Sequence, residues 1–181
     1  MSDKILVLVA LEDELPNALP EQYVKVFTGV GKVKAAIATV NAIRDHNPTH
    51  VINFGTAGSL DSNLKPDLYK ISTVGQRDMD VRGLGIELGI TPFTGEGWIA
   101  VDDQQGYTLT TGDQFVESVP ELKSQLVDME AYAIAMACKE HDISLDIYKF
   151  VSDYADEEAK TDWKENCAKG AQLFMQRVIN D

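Results

Sequence analysis

Acidic residues stand where apolar segments of this chain begin or end, at three separate places. Val127-Asp128-Met129-Glu130-Ala131-Tyr132-Ala133 puts acids at the start of an apolar helix. Ser152-Asp153-Tyr154-Ala155-Asp156 puts two carboxylates just past an apolar strand, and Leu11-Glu12-Asp13-Glu14 follows the N-terminal apolar run. Carboxylates so placed can donate a proton, activate water and grip hydroxyl groups. Glu130 is the hardest to dismiss, because a carboxylate in apolar surroundings is rarely buried unless it is paired or functional. The others keep plainer readings. Glu12, Asp13 and Glu14 suit the first turn of a helix, where the dipole favours negative charge. Asp153 and Asp156 suit a helix N-cap and its neighbour, and Gly55 and Gly58 suit a tight turn.

The elements that must hold these residues read as alternating strands and helices. Lys4 to Ala10 is a continuous run of leucine and β-branched residues, as in a strand buried on both faces. Val24 to Phe27 is a second strand, and helical spacing follows, with Val33, Ile37, Val40 and Ile43 on one face up to Asn47-Pro48. His50 to Phe54 is a strand closed by Gly55-Thr56-Ala57-Gly58, and Leu68 to Val74 is another. Residues 91–107 carry Pro92, Gly95, Gly97 and Gly106 and read as a long loop with one short strand. Tyr107 to Thr111 is a strand leading into Gly112-Asp113-Gln114-Phe115. Met129 to His141 reads as a helix with Met129, Ala133, Met136 and Ala137 inward, and Leu145 to Ser152 as the last strand. From Glu158 on, Trp163, Cys167, Ala171, Phe174 and Val178 recur at helical spacing. The expected fold is α/β, a single domain over residues 1–181 with a central mixed, mostly parallel sheet flanked by helices. In such sheets ligands bind beyond the C-terminal ends of strands, where the acids and glycines lie.

With 181 residues, 44% apolar and 25% charged, the chain has the composition of an ordinary globular domain. A formal net charge of −13 argues against nucleic acid and anionic membrane surfaces as partners. Cys138 and Cys167 are too few for a disulfide framework and fit buried free thiols. There is no leader-like start and no apolar run of about 20 residues, so a cytoplasmic location is expected. The HExxH, GxSxG and Cys/His ligand patterns are missing, which makes metal hydrolysis and serine catalysis poor readings. His46, His50 and His141 fall at helix ends or before a strand, and all three read as structural.

Taken in order, Ala10-Leu11-Glu12-Asp13-Glu14, Gly29-Val30-Gly31-Lys32-Val33, Asn53-Phe54-Gly55-Thr56-Ala57-Gly58, Gly112-Asp113-Gln114-Phe115, Val127-Asp128-Met129-Glu130-Ala131 and Ser152-Asp153-Tyr154-Ala155-Asp156 resemble the nucleoside phosphorylase/nucleosidase superfamily. The likeness is greatest to the 5′-methylthioadenosine/S-adenosylhomocysteine nucleosidases, and covers nearly the whole chain. It implies cleavage of a purine nucleoside's N-glycosidic bond through an oxocarbenium-like transition state. By resemblance, Asp153 is the general acid that protonates purine N7, a task for an acid that keeps its proton near neutral pH. Glu14 positions and activates the attacking water, and Glu130 binds the ribose 2′- and 3′-hydroxyls with Met129 beneath the sugar. The resemblance also implies that Phe115 stacks on the purine and that the Val116 backbone reads its edge. Thr56 and Gly58 line the floor, and Ala10, Val30, Ser152 and Lys149 complete the substrate-binding set. No cofactor and no metal is implied. The partners implied are a small-molecule nucleoside and a second copy of the chain, with Asp78-Met79-Asp80-Val81 to Pro92-Phe93 matching a dimer-contact loop.

Hydrolysis is favoured over phosphorolysis on electrostatic grounds, since phosphate is usually held by arginines and the chain has four: Arg44, Arg77, Arg82 and Arg177. The Gly-Asp-Pro-x-Arg segment of phosphorylases is missing, and Glu14 would repel phosphate. A phosphate-dependent phosphorylase and a non-catalytic nucleoside-binding module are the alternatives. Against the family pattern, the chain lacks a hairpin between Glu14 and Gly29 and a helix between Phe93 and Gly112. It also carries Lys149 where the family has arginine, a charge without a planar fork.

Overall fold

The apolar run at the N-terminus becomes strand β1 (Ile5–Val9), and both of its faces are covered. Leu6 and Leu8 point to one core cluster, under two helices, and Val7 and Val9 to the other. The computed structural model describes residues 4–154 and 159–180, with side chains for 4–154 and 166–180. Around β1 stand β2 (Tyr23–Phe27), β3 (His50–Ser59), β4 (Leu68–Gln76), β5 (Ile99–Ala100), β6 (Tyr107–Thr111), β7 (Leu126–Asp128) and β8 (Ser144–Asp153). The helices are α1 (Lys32–His46), α2 (Ala131–Glu140) and α3 (Ala159–Phe174), the last followed by a π-helical turn at Met175–Ile179. Among the described residues no helix is long and apolar enough to cross a membrane.

The sheet is mixed, as expected, but it also curls until it closes. β2, β1, β3 and β8 lie side by side in parallel. β4 pairs antiparallel with β8, and then β6 and β7 follow β4 in parallel. β7 returns antiparallel to β3, so β3, β8, β4, β6 and β7 form a ring. Gly58 is the junction, paired with Asp153 of β8 and with Val127 of β7. The register of β3 against β8 shifts between Ala57 and Gly58, a bulge that re-aims the strand toward its second partner.

This changes the reading of Gly55-Thr56-Ala57-Gly58. Those residues do not close the strand at Phe54; β3 runs on through them to Ser59. Small residues there let the strand bend and let Glu14 and Lys149 approach Gly55, whose added Cβ would sit 3.3 Å from Glu14 Oε1 and 3.4 Å from Lys149 Nζ. Asp153 likewise belongs to the last residue of β8 and does not lie past it. Between Glu14 and Gly29 β2 is the one strand, and between Phe93 and Gly112 there are β5 and β6 and no α-helix.

The helices bury faces that periodicity does not single out. In α1, Val33, Ile37 and Val40 are 69%, 59% and 38% exposed, while Ala35, Thr39, Ala42 and Ile43 are buried. The helix carries two apolar stripes, and the one with small side chains packs close to α2; periodicity alone cannot choose between them. In α2 the buried set is Ala131, Tyr132, Ile134, Ala135, Ala137 and Cys138, so Met129, Ala133 and Met136 are only partly covered. Cys138 and Cys167 are buried free thiols, pushed up to about 12 by burial. On the other face of the sheet Cys167, Ala171 and Phe174 are buried as expected, and Phe174 stacks on Phe54 at 4.2 Å between centroids. The π-helical turn shifts the phase, so Ile179 is buried where Val178 was expected. Asp156 and the side chain of Trp163 lie outside the described residues.

Gly170 lets this helix approach β8 closely: an added Cβ would lie 2.8 Å from Phe150 Cγ and 2.9 Å from its Cβ. Gly170→Ala must push the helix off the strand that carries Asp153, at a cost of about 1–3 kcal/mol. Urea denaturation should show the loss as a lower midpoint with an unchanged slope.

Candidate active site

The strand ends converge on a cleft of ≈ 260 Å³ beside Gly58. Ala10, Glu14, Val30, Thr56 and Gly58 line it from the β1 and β3 side. Phe115, Val116, Met129, Glu130, Ser152 and Asp153 line it from the β6, β7 and β8 side. These are the residues expected from the sequence, with one difference. Lys149 does not line the cleft; it is 1% exposed, with its ammonium turned to Asp128.

Glu14 sits in a short 3-10 turn, Glu12–Glu14, directly after β1. Glu12 and Asp13 point to solvent, whereas Glu14 is buried. Its Oε1 accepts the Thr56 backbone N–H at 2.8 Å and the Thr56 hydroxyl at 2.7 Å, and its Oε2 accepts the Leu11 N–H at 3.1 Å. Three donors therefore fix one carboxylate against the bend of β3. This distinguishes a positioned acid from the two beside it that merely favour a helical first turn.

Glu130 precedes α2 at its N-cap position, with a non-helical backbone, and its side chain turns away from the helix. Its Oε1 accepts the Gly31 N–H at 2.9 Å, which ties the start of α1 to the start of α2. Burial raises this carboxyl to about 7, Asp128 nearby adds to the rise, and Lys149 opposes it. The helix cap is Asp128 instead: its Oδ2 accepts the Ala131 N–H at 2.9 Å and its Oδ1 the Thr111 hydroxyl at 2.6 Å. The same Oδ2 lies 2.9 Å from Lys149 Nζ. Burial alone would push Lys149 down, but Asp128, Glu130 and Glu14 outweigh it and hold the ammonium above its ordinary range. Asp153 is buried, with the Ser152 hydroxyl donating to its Oδ2 at 2.7 Å.

Phe115 stands half exposed at the cleft mouth, on the loop after β6. That loop is held by Asp113, whose Oδ1 accepts the Lys32 N–H at 2.8 Å and whose own N–H donates to Asp78 Oδ2 at 2.9 Å. His50 bonds Ser144 and Asp146 at the far end of β3 and β8 from Gly58, consistent with a structural role. Sequence reasoning missed Leu11, Ala57, Arg77, Gln114 and Val127 as cleft residues, and it placed Asp128 only in support. Arg77 had a signal that was readable: it follows Gly75-Gln76 at the end of an apolar strand, where the other site residues also cluster.

The sequence profile of the Phosphorylase superfamily matches residues 19–180. The 5′-methylthioadenosine/S-adenosylhomocysteine nucleosidase of Buchnera aphidicola subsp. Acyrthosiphon pisum is 36% identical over 184 residues, covering 84% of this chain and 79% of the relative. That of Staphylococcus carnosus is 31% identical, covering 88% and 80%. Among solved structures, the nucleosidase of Colwellia psychrerythraea in complex with adenine superposes with a TM-score of 0.86 at 25% identity, covering 99% of this chain and 94% of that one. The futalosine hydrolase of Helicobacter pylori shares the fold, with a TM-score of 0.85 at 24% identity over 95% and 94% of the two chains. By its sequence, its fold and the placement of its cleft, the chain belongs to the phosphorylase superfamily, in the branch of the 5′-methylthioadenosine/S-adenosylhomocysteine nucleosidases.

Proposed function

We propose that the cleft hydrolyses the N-glycosidic bond of purine nucleosides of the 5′-methylthioadenosine/S-adenosylhomocysteine type, releasing the free base. The observation that carries this reading is that Glu14, Glu130 and Asp153, from three distant stretches of sequence, line one cleft. Asp153 gives its proton to N7 of the purine as the C1′–N9 bond breaks, so the base leaves neutral. Water adds to C1′ of the oxocarbenium-like ribosyl group and surrenders a proton to Glu14, whose geometry Thr56 and Leu11 fix beforehand. Glu130 receives the ribose 2′- and 3′-hydroxyls, and Met129 packs beneath the sugar. Phe115 and Val116 receive the base, with Ala10, Val30, Gly58 and Ser152 completing the walls.

Phosphate is a poor acceptor here. Arg77, the arginine at the cleft, already donates to four backbone carbonyls. Lys149 is buried against Asp128. What remains facing the cleft is carboxylate, which repels a dianion.

The active form we propose is a homodimer in the cytoplasm. Val33, Ile37 and Val40 make an exposed apolar stripe on α1, one turn beyond Val30 at the cleft. Phe93, 97% exposed with φ 67°, is presented from the loop of residues 78–93. A second copy covering the stripe would shelter the cleft mouth. The two buried free thiols fit a reducing compartment.

Glu14→Gln and Asp153→Asn should each lower kcat by about 10²–10⁴-fold on methylthioadenosine in phosphate-free buffer, read as free adenine. Glu14→Gln also leaves one of three donors without an acceptor, so its urea midpoint should fall by the equivalent of about 1–2 kcal/mol. Unchanged turnover in either variant would remove that residue from the chemistry.

Glu130 generates a pH effect whose sign is fixed. With its folded value raised to about 7, the folded protein binds more protons than the unfolded chain between the ordinary carboxylate range and that value. Stability therefore falls as pH rises through this window and levels off above it. Glu130→Gln removes the effect, so its stability relative to the parent should climb across the same window by on the order of 3 kcal/mol. Urea titrations from pH 4 to about 8 check this. A flat difference would contradict it.

Ile37→Glu should convert the protein to a monomer by sedimentation velocity and lower kcat/KM by about 10-fold or more through exposure of the cleft. A dimer that survives the change would place the interface elsewhere.

A further inference from the structure

Arg77 uses its side chain in an uncommon way for a residue at a substrate cleft. One terminal nitrogen donates to the carbonyls of Thr110 and Asp128, each at 2.7 Å. The other donates to Gly112 at 3.1 Å and Gln114 at 2.7 Å. The backbone N–H of Arg77 adds a bond to Thr111 O at 2.9 Å. Gly112 provides the room, since a Cβ there would lie 3.0 Å from both Cγ and Cζ of Arg77.

The four carbonyls belong to two pieces of chain with separate tasks. Gly112 and Gln114 lead directly into Phe115 and Val116, which receive the base. Asp128 stands two residues before Glu130, which receives the ribose. A planar fork with donors on both sides can join the two pieces; the point charge of a lysine cannot reach all four oxygens at once. Burial pushes the guanidinium down, while Asp128, Asp78, Asp113 and Glu130 nearby support its charge. Asp113 and Asp78 are also the residues that bind the loop to Lys32 at the start of α1. The loop is thus held from both ends: at its root the Thr111 hydroxyl donates to Asp128 Oδ1, and the four Arg77 bonds join residues 110–114 to the segment carrying Glu130 through one side chain.

We infer that Arg77 is a positioning residue: it sets the span between the base platform at Phe115-Val116 and the ribose clamp at Glu130, so that both halves of one nucleoside are engaged together. It acts through backbone and touches no reacting atom. The inference rests on the nucleosidase reading of the cleft. Its consequence is selective. A ligand that uses one subsite is indifferent to the span, whereas a ligand that bridges both is not, and a misplacement of about 1 Å is felt by as much as about 10²-fold.

The test compares the parent protein with Arg77→Lys and Gly112→Ala, measuring kcat and KM for methylthioadenosine, the inhibition constant of free adenine, and urea midpoints. Gly112→Ala keeps the guanidinium but displaces it, and so carries the same expectation if Arg77→Lys does not fold. KM should rise about 10-fold or more in either variant, while the adenine constant moves by less than about twofold. Equal weakening of adenine and nucleoside would reduce Arg77 to a support for the base loop and overturn the inference. No change in either, or loss of folding in both variants, would overturn it too. Failure of the nucleosidase reading itself is a separate outcome: the parent protein would then neither bind adenine nor release it.

Discussion

The buried contact between Lys149 and Asp128, 2.9 Å long and almost wholly removed from water, governs the geometry of the cleft. Asp128 joins three elements through one carboxylate, meeting Thr111 of β6, Ala131 at the start of α2 and Lys149 of β8. The ammonium also offsets the charges of Glu130 and Glu14, which would otherwise face each other across a dry interior. Burying such a pair is costly, but removing one partner is worse, at about 3–5 kcal/mol, because the other charge is left without compensation. A lysine at the place where the resemblance implies an arginine is tolerable in this light. A single point charge suffices to meet one carboxylate oxygen, and Gly55 leaves space for it beside Glu14.

Around that pair, the two carboxylates that flank it are held in opposite ways. Glu14 accepts three hydrogen bonds, two from Thr56 and one from Leu11, and is fixed in place by them. Glu130 has one backbone donor from Gly31 and a carboxylate neighbour, and its proton is held far more tightly than in water. Two acids on one cleft thus differ in how many hydrogen bonds each receives. The sequence places them 116 positions apart with nothing local to foretell the contrast.

Much of the site could be read before the fold was known, for physical reasons that differ by residue. Glu14, Glu130 and Asp153 stand at boundaries of apolar segments, and boundaries of buried strands are where an α/β sheet exposes ligand-binding positions. What periodicity does not carry is the choice between two apolar stripes on one helix. In α1 the alanine side packs against its neighbour and the valine-isoleucine side faces outward. Nor could local sequence show that Gly55 to Gly58 continue a strand, because small residues satisfy a turn and a bent strand equally well. The resemblance implies Lys149 as a substrate contact, at the position where the family carries arginine. Alternation along β8 instead sends it inward to Asp128. The place of Arg77 at the end of an apolar strand is legible, but its work on carbonyl oxygens leaves no pattern in side-chain identities.

The junction at Gly58 gives the molecule a form of mechanical economy. One residue of β3 is hydrogen-bonded in register with both the strand ending in Asp153 and the strand leading to Glu130. Asp153 and the segment leading to Glu130 are therefore mounted on a common hub, and the two walls of the cleft share one backbone anchor.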